Sequence, residues 1–149
     1  MAINKSPWTH EEFKDIFSRV PRACVEVAIK TDDGILLTLR KKYSYIGQWH
    51  MPGGSVYYRE RLHDTVKRVA FDELGIEVTV EKLLGVIEYF SEEKEKGFGY
   101  SLGIVFLCRP LSTKFRLNDQ ASEARFFKLL PPNMVEEQKK FIDEHLDIK

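Results

Sequence analysis

The chain has only two cysteines in 149 residues, Cys24 and Cys108, and no Cys-x-x-Cys pair. That argues against a disulfide scaffold or a cysteine zinc site; both thiols lie in apolar, strand-like runs that would bury them. Neither sign of charge is in excess, with 23 Lys plus Arg against 23 Asp plus Glu. A general basic field for nucleic acid is therefore missing. No apolar run is long enough for a leader or a membrane span, so a reducing cytoplasm is the expected compartment. Repeats and linkers are absent too. The hydrophobic fraction of 43% and the length suit one domain over residues 1–149 with a real core.

What is present begins with turn and cap signals. Thr9-His10-Glu11-Glu12 offers a capping box for a short helix with Phe13, Ile16 and Phe17 on one face, ended by Pro21. Residues Ala23 to Lys30 alternate as a strand, and Asp32-Asp33-Gly34 reads as a hairpin turn into Ile35–Leu39. Ile46 to Met51 leads into Pro52-Gly53-Gly54, and a helix is expected from Arg59 to Leu74 with Gly75 as its stop. Glu77 to Phe90 is strand-rich but broken near Lys82, Ser91 to Gly97 reads as a polar loop, and Tyr100–Leu107 as a strand. Ala124–Leu129 follows as a strand, and Pro131-Pro132 introduces an amphipathic helix. This order fits an α/β fold, one mixed sheet with helices on both sides.

The segment from Gly53 to Ile76 carries the chemistry. Glycines at 53 and 54 let backbone atoms approach a ligand closely. In the helix, Leu62, Val66, Ala70 and Leu74 form an apolar stripe, and positions 69, 72 and 73 lie on a neighbouring arc. Asp72 and Glu73 thus sit beside the core, where two adjacent carboxylates attract a hard cation. Mg²⁺ suits them best, since it takes oxygen ligands and keeps waters for substrate phosphates; Mn²⁺ is the alternative. Arg68 taken alone reads as a surface cation pairing with Asp64 or Asp72 at helical spacing. Glu26 lies in an otherwise apolar strand, where an unpaired charge is costly.

Gly54, Glu60, Arg68, Ala70, Glu73, Gly75 and Ile76 fall in register, without a gap, on the signature Gly-x5-Glu-x7-Arg-Glu-U-x-Glu-Glu-x-Gly-U, U being aliphatic. The segment 54–76 therefore resembles the Nudix box. Val69 stands where the signature has the first paired Glu, and Asp72 replaces the next one. The resemblance implies the Nudix fold, an α/β/α sandwich, and a Mg²⁺-dependent hydrolase of nucleoside diphosphates linked to another group. Family relatives often dimerise, so a homodimer is a further option.

Beyond the box, Glu26, Arg40, Gly47-Gln48-Trp49 and Pro52-Gly53-Gly54 look like GDP-mannose mannosyl hydrolases, a subfamily that also has an aliphatic residue at position 69. That likeness implies Glu73 and the Gly53 carbonyl as ligands of a single Mg²⁺, to which the adjacent carboxylate adds Asp72. It implies Arg40 on the substrate phosphates, Arg68 in electrostatic support, Glu26 near the leaving group, and Gly54 and Trp49 beside the substrate. Departures also occur: Ser55 replaces a basic residue, Tyr89 a histidine, and Ala121 the general-base histidine. Asp119 or Glu123 is then the candidate carboxylate base, and attack at phosphorus or at the sugar carbon stays open. Two other readings also stand: a house-cleaning nucleoside triphosphate pyrophosphatase, and a weakly catalytic nucleotide-binding sensor.

Overall fold

The computed structural model describes residues 6–149. Helix α1 (His10–Phe17) carries the expected capping box, with the Thr9 hydroxyl accepting from the Glu12 amide at 3.1 Å and Glu12 accepting from the Thr9 amide at 3.3 Å. Strand β1 (Arg22–Thr31) turns through Asp32-Asp33 into β2 (Gly34–Arg40), with Thr31 opposite Gly34. Two short strands follow, β3 (Trp49–His50) and β4 (Gly53–Ser55), then helix α2 (Leu62–Leu74). The long β5 (Val78–Tyr89), the short α3 (Glu92–Lys96), β6 (Ser101–Pro110), β7 (Ala121–Phe127) and α4 (Glu136–His145) complete the order.

The strands form a seven-stranded mixed sheet among the described residues, ordered β3-β2-β1-β6-β5, with β4 on β1 and β7 on β2. Only β1 and β6 run parallel, in register from Arg22 opposite Ser101 to Ile29 opposite Cys108. The alternation along β1 separates two cores. Val25, Val27 and Ile29 pack with Val66, Ala70 and Leu74 of α2. On the other face Ala28 packs with Ile87, Tyr89 and, from α4, Phe141 and Ile142. Helices on both faces of one sheet make the expected α/β/α sandwich.

Several bounds differ from expectation: β7 begins at Ala121 and ends at Phe127 rather than running Ala124–Leu129, and β6 runs on to Pro110 rather than ending at Leu107. Helix α2 begins at Leu62, because Arg59 has φ +61° and Glu60 closes a turn onto the Tyr57 carbonyl. The segment read as a polar loop at 91–97 holds the helix α3, closed by Gly97 at φ +86°. The break near Lys82 is a pair of register shifts in a strand that continues through it, between Val80 and Lys82 and between Leu83 and Gly85. No helix among the described residues is long and apolar enough to cross a membrane.

Candidate active site

A cleft of about 900 Å³ opens where β1, β4 and α2 meet. At its floor two carboxylates approach the same glycine from different elements. Glu73, 9% exposed on α2, accepts from the Gly53 amide at 3.0 Å. Glu26, 6% exposed, lies directly opposite Gly53 in the β1–β4 pairing. A Cβ at position 53 would collide with the Glu26 carboxylate, so only glycine fits there.

Burial pushes both acids up to about 8, against an ordinary 4.5. For Glu73 the Arg40 charge and the Gly53 amide offset part of that cost. For Glu26 a hydrogen bond from the Tyr89 hydroxyl and the Arg22 charge do so, while Glu73 works against it. Asp72 is also raised by burial, and lies 4.0 Å from an Arg68 nitrogen.

Tyr89 belongs to a directional chain. The Met51 amide donates to Gln138 Oε1 at 2.6 Å, which fixes that side-chain amide. Gln138 Nε2 then donates to the Tyr89 hydroxyl at 2.9 Å, and Tyr89 donates to Glu26 Oε1 at 3.0 Å. One oxygen of Glu26 is therefore committed to the protein.

Arg68 is engaged rather than free. Its guanidinium donates to both Glu60 oxygens, at 2.8 and 2.9 Å, and to the Ser55 carbonyl at 2.7 Å, and stacks 3.7 Å from the Tyr57 ring centre. Burial alone would raise Glu60, but the hydrogen bonds from Arg68, the Tyr57 amide and Thr65 win and hold it at about 2. Arg68 thus braces the Gly-Gly strand against α2. Arg40 lines the cleft while its Nε donates to the Ser44 carbonyl at 2.6 Å, which orders the loop after β2. His50, buried and bonded to Thr38 Oγ1 at 3.1 Å, is kept neutral by burial and by Arg40.

Two expected site residues are placed elsewhere. Trp49 is 6% exposed, packs in the core against Phe127 at 4.8 Å and 71°, and does not line the cleft. Its neighbours on β2 and β7 turn it inward. Glu123 is paired with Arg125 on β7 and does not line the cleft; its strand register holds it opposite Leu39. The lining residues of the preceding loop are Asn118, Asp119 and Gln120, and Asp119 is tied to Lys42 at 2.7 Å. Gly54 does line the cleft, and a Cβ there would press on Val69 at 3.1 Å. Val69 itself is 3% exposed and packs with Val25 and Val66.

The sequence reading missed Arg22, Glu92, Lys96 and Gln138. Glu92 and Lys96 stand at the i, i+4 spacing of a helix, a signal available in the sequence. Gln138 had none, because its importance comes from a contact 49 residues away in the chain.

The donors at the floor suit a hard divalent cation: all are oxygens, and two buried carboxylates there want positive charge. Among the described residues no three His, Cys, Asp or Glu side chains gather as a metal cage. A cation would be held by few protein oxygens and would keep waters.

Comparison with known proteins agrees with this architecture. The NUDIX domain pattern matches residues 20–146. The chain is 38% identical over 85 residues to the low-salt glycan biosynthesis protein Agl8 of Haloferax volcanii, covering 57% of this chain and 54% of that protein. It thus spans about half of the length of Agl8. It is 32% identical over 127 residues to an ADP-ribose pyrophosphatase of Methanocaldococcus jannaschii, covering 85% of this chain and 73% of that protein. A crystal structure of a MutT Nudix hydrolase from Burkholderia pseudomallei superposes with a TM-score of 0.70 at 26% identity, covering 83% of this chain and 97% of that one. The chain belongs to the Nudix hydrolase family.

Proposed function

We propose that this chain is a Mg²⁺-dependent hydrolase of a nucleoside diphosphate linked to another group, a nucleotide sugar being the favoured class. The observation that carries the reading is the pair of buried carboxylates, Glu26 and Glu73, meeting at Gly53 with Arg40 on the same cleft. Such a pair is electrostatically costly until a cation joins it. The names of Agl8 and of the ADP-ribose pyrophosphatase, one in glycan biosynthesis and one on a diphosphate-linked sugar, support the substrate class.

In this proposal Glu73, Asp72 and the Gly53 carbonyl hold the cation, with Mn²⁺ able to replace Mg²⁺. The bound cation supplies charge neutralisation on the diphosphate. Arg40 adds a second positive group on the cleft wall, and Arg68 keeps the Gly-Gly strand and α2 in register through Ser55 and Glu60. Glu26, with one oxygen tied to Tyr89, has the other free to accept a proton or hold a water. That makes Glu26 the best-placed base. Glu123, the sequence candidate, needs a movement of β7 to reach the cleft.

A second reading, a nucleotide binder with little turnover, draws on the apolar packing of Val69 where a third carboxylate would stand. Hydrolysis of nucleotide sugars, ADP-ribose and triphosphates with Mg²⁺ in ¹⁸O-labelled water tests both. Label on a released phosphate means attack at phosphorus; label on the sugar means attack at carbon and a kinship with GDP-mannose mannosyl hydrolases. Binding without any labelled product supports the binder instead.

A further inference from the structure

The same cleft has a second pole, whose charged residues lie outside the Nudix box. Arg22 enters it from the start of β1 and is held on three sides. Its Nε donates to Ser101 Oγ at 3.0 Å, one terminal nitrogen to Ser55 Oγ at 2.9 Å, and the other to Glu92 at 3.3 Å. Lys96, one turn along α3, pairs with the same Glu92 oxygen at 2.7 Å. Two cations therefore share one carboxylate, which leaves a positive charge on the wall of the cleft. The exposures are ordered the same way: 19% for the Arg22 side chain, 14% for Lys96 and 5% for Glu92. Arg22 and Lys96 keep part of their side-chain surface open, and Glu92 keeps less. All three line the cleft that Glu26, Arg40 and Glu73 line.

A roof completes the pole. Phe13 of α1 lies 5.5 Å from the Arg22 guanidinium and 5.3 Å from Lys96 Nζ, and Phe98 lies 4.9 Å from the same lysine. Phe13 of α1 is half-buried, lines the same cleft and packs edge-on against Trp8 and Phe98. Rings over cations keep them partly desolvated without neutralising them, and a charge-assisted hydrogen bond is strongest in that setting.

We propose that Arg22 and Lys96 form an anion-binding pole that holds an acidic group, carboxylate or phosphate, on the part of the substrate beyond the diphosphate. This rests on the reading of the cleft as a nucleoside-diphosphate site, and it narrows the substrate to one with an acidic second moiety. Ser55 contributes by fixing Arg22, so the small hydroxyl at that position and the cation at 22 act as one unit.

The test compares UDP-glucuronate with UDP-glucose, which differ by a carboxylate on the sugar, with Mg²⁺ and at equal ionic strength. The wild type should favour the uronate by about tenfold in kcat/KM or Kd. Lys96→Met should bring that ratio close to one, and Lys96→Arg should restore it. Lys96→Met leaves Glu92 paired with Arg22 and Ser101, so the fold has no orphaned charge. Equal handling of the two sugars by the wild type, or an unchanged preference in Lys96→Met, overturns the pole. If neither uridine nucleotide binds, inorganic phosphate alone decides, while the ¹⁸O panel above decides the diphosphate reading separately. Phosphate should raise the Tm of the wild type more than that of Lys96→Met, and equal shifts overturn the proposal.

Discussion

Glu60 and Glu73 are both glutamates of the same glycine–helix unit, yet they live under opposite electrostatic regimes. Glu60 receives Arg68, the Tyr57 amide and Thr65, and is held at about 2. Glu73 receives the Gly53 amide and a more distant Arg40, and burial pushes it to about 8. Glu26 across the glycine repeats the second regime. The comparison separates a carboxylate whose partners are all supplied by the chain from a pair that still has charge to be met. The first holds α2 to β4; the second is where the proposed function places a cation and a substrate.

The comparison breaks most severely at Glu73. Glu73→Gln should lower Mg²⁺-dependent kcat/KM on the order of 10³-fold while the circular dichroism spectrum stays that of the wild type. Arg68→Ala attacks the other regime. It leaves Glu60 without its cation and should cost about 2–3 kcal/mol in urea unfolding, with activity falling through loss of register.

A pH series sharpens the contrast, and the two regimes have opposite signs. Glu60 is lowered in the folded state, so its stabilisation is present above about 4.5 and disappears as pH falls toward 2. Glu26 and Glu73 are raised, so the folded state holds their protons longer than the unfolded chain does. Their contribution is fullest below about 4.5 and is lost as pH rises through about 8. Without divalent cation the Tm should decline between pH 5 and 8, and Glu26→Gln and Glu73→Gln should each flatten that decline. Urea midpoints across the range check it.

Smaller effects follow from the edges of the site. Tyr89→Phe removes one hydrogen bond to Glu26 and should cost about 1 kcal/mol of stability, with kcat falling more than KM changes. Glu123→Gln should alter kcat/KM by less than about threefold, because an exposed ion pair on β7 is worth little. A loss on the order of 10²-fold there would return Glu123 to the base role.

Local signals made much of this legible in the sequence. The capping box at Thr9, the Asp32-Asp33-Gly34 turn and the apolar stripe of α2 each state a local preference that packing then obeys. Glu26 stood out as a charge in an apolar strand, and its burial follows from that placement. What was not legible depends on contacts between distant segments. The family likeness put Trp49 beside the substrate, whereas the β2–β7 pairing places Phe127 against it. Glu123 and Asp119 were equal candidates until β7 took Glu123 into a strand opposite Leu39 and left Asp119 in the loop that lines the cleft. The basic pole needed Arg22, Ser55, Glu92 and Ser101 brought together from four separate elements. Residue type alone does not announce such a meeting.

The most direct test of the central claim is calorimetric Mg²⁺ binding at pH 7 in two buffers of different ionisation enthalpy. The account predicts binding that releases protons, because the cation displaces them from carboxylates raised to about 8. It also predicts that Glu73→Gln abolishes the heat. Mg²⁺ binding of equal strength in wild type and Glu73→Gln, with no buffer dependence, would contradict it.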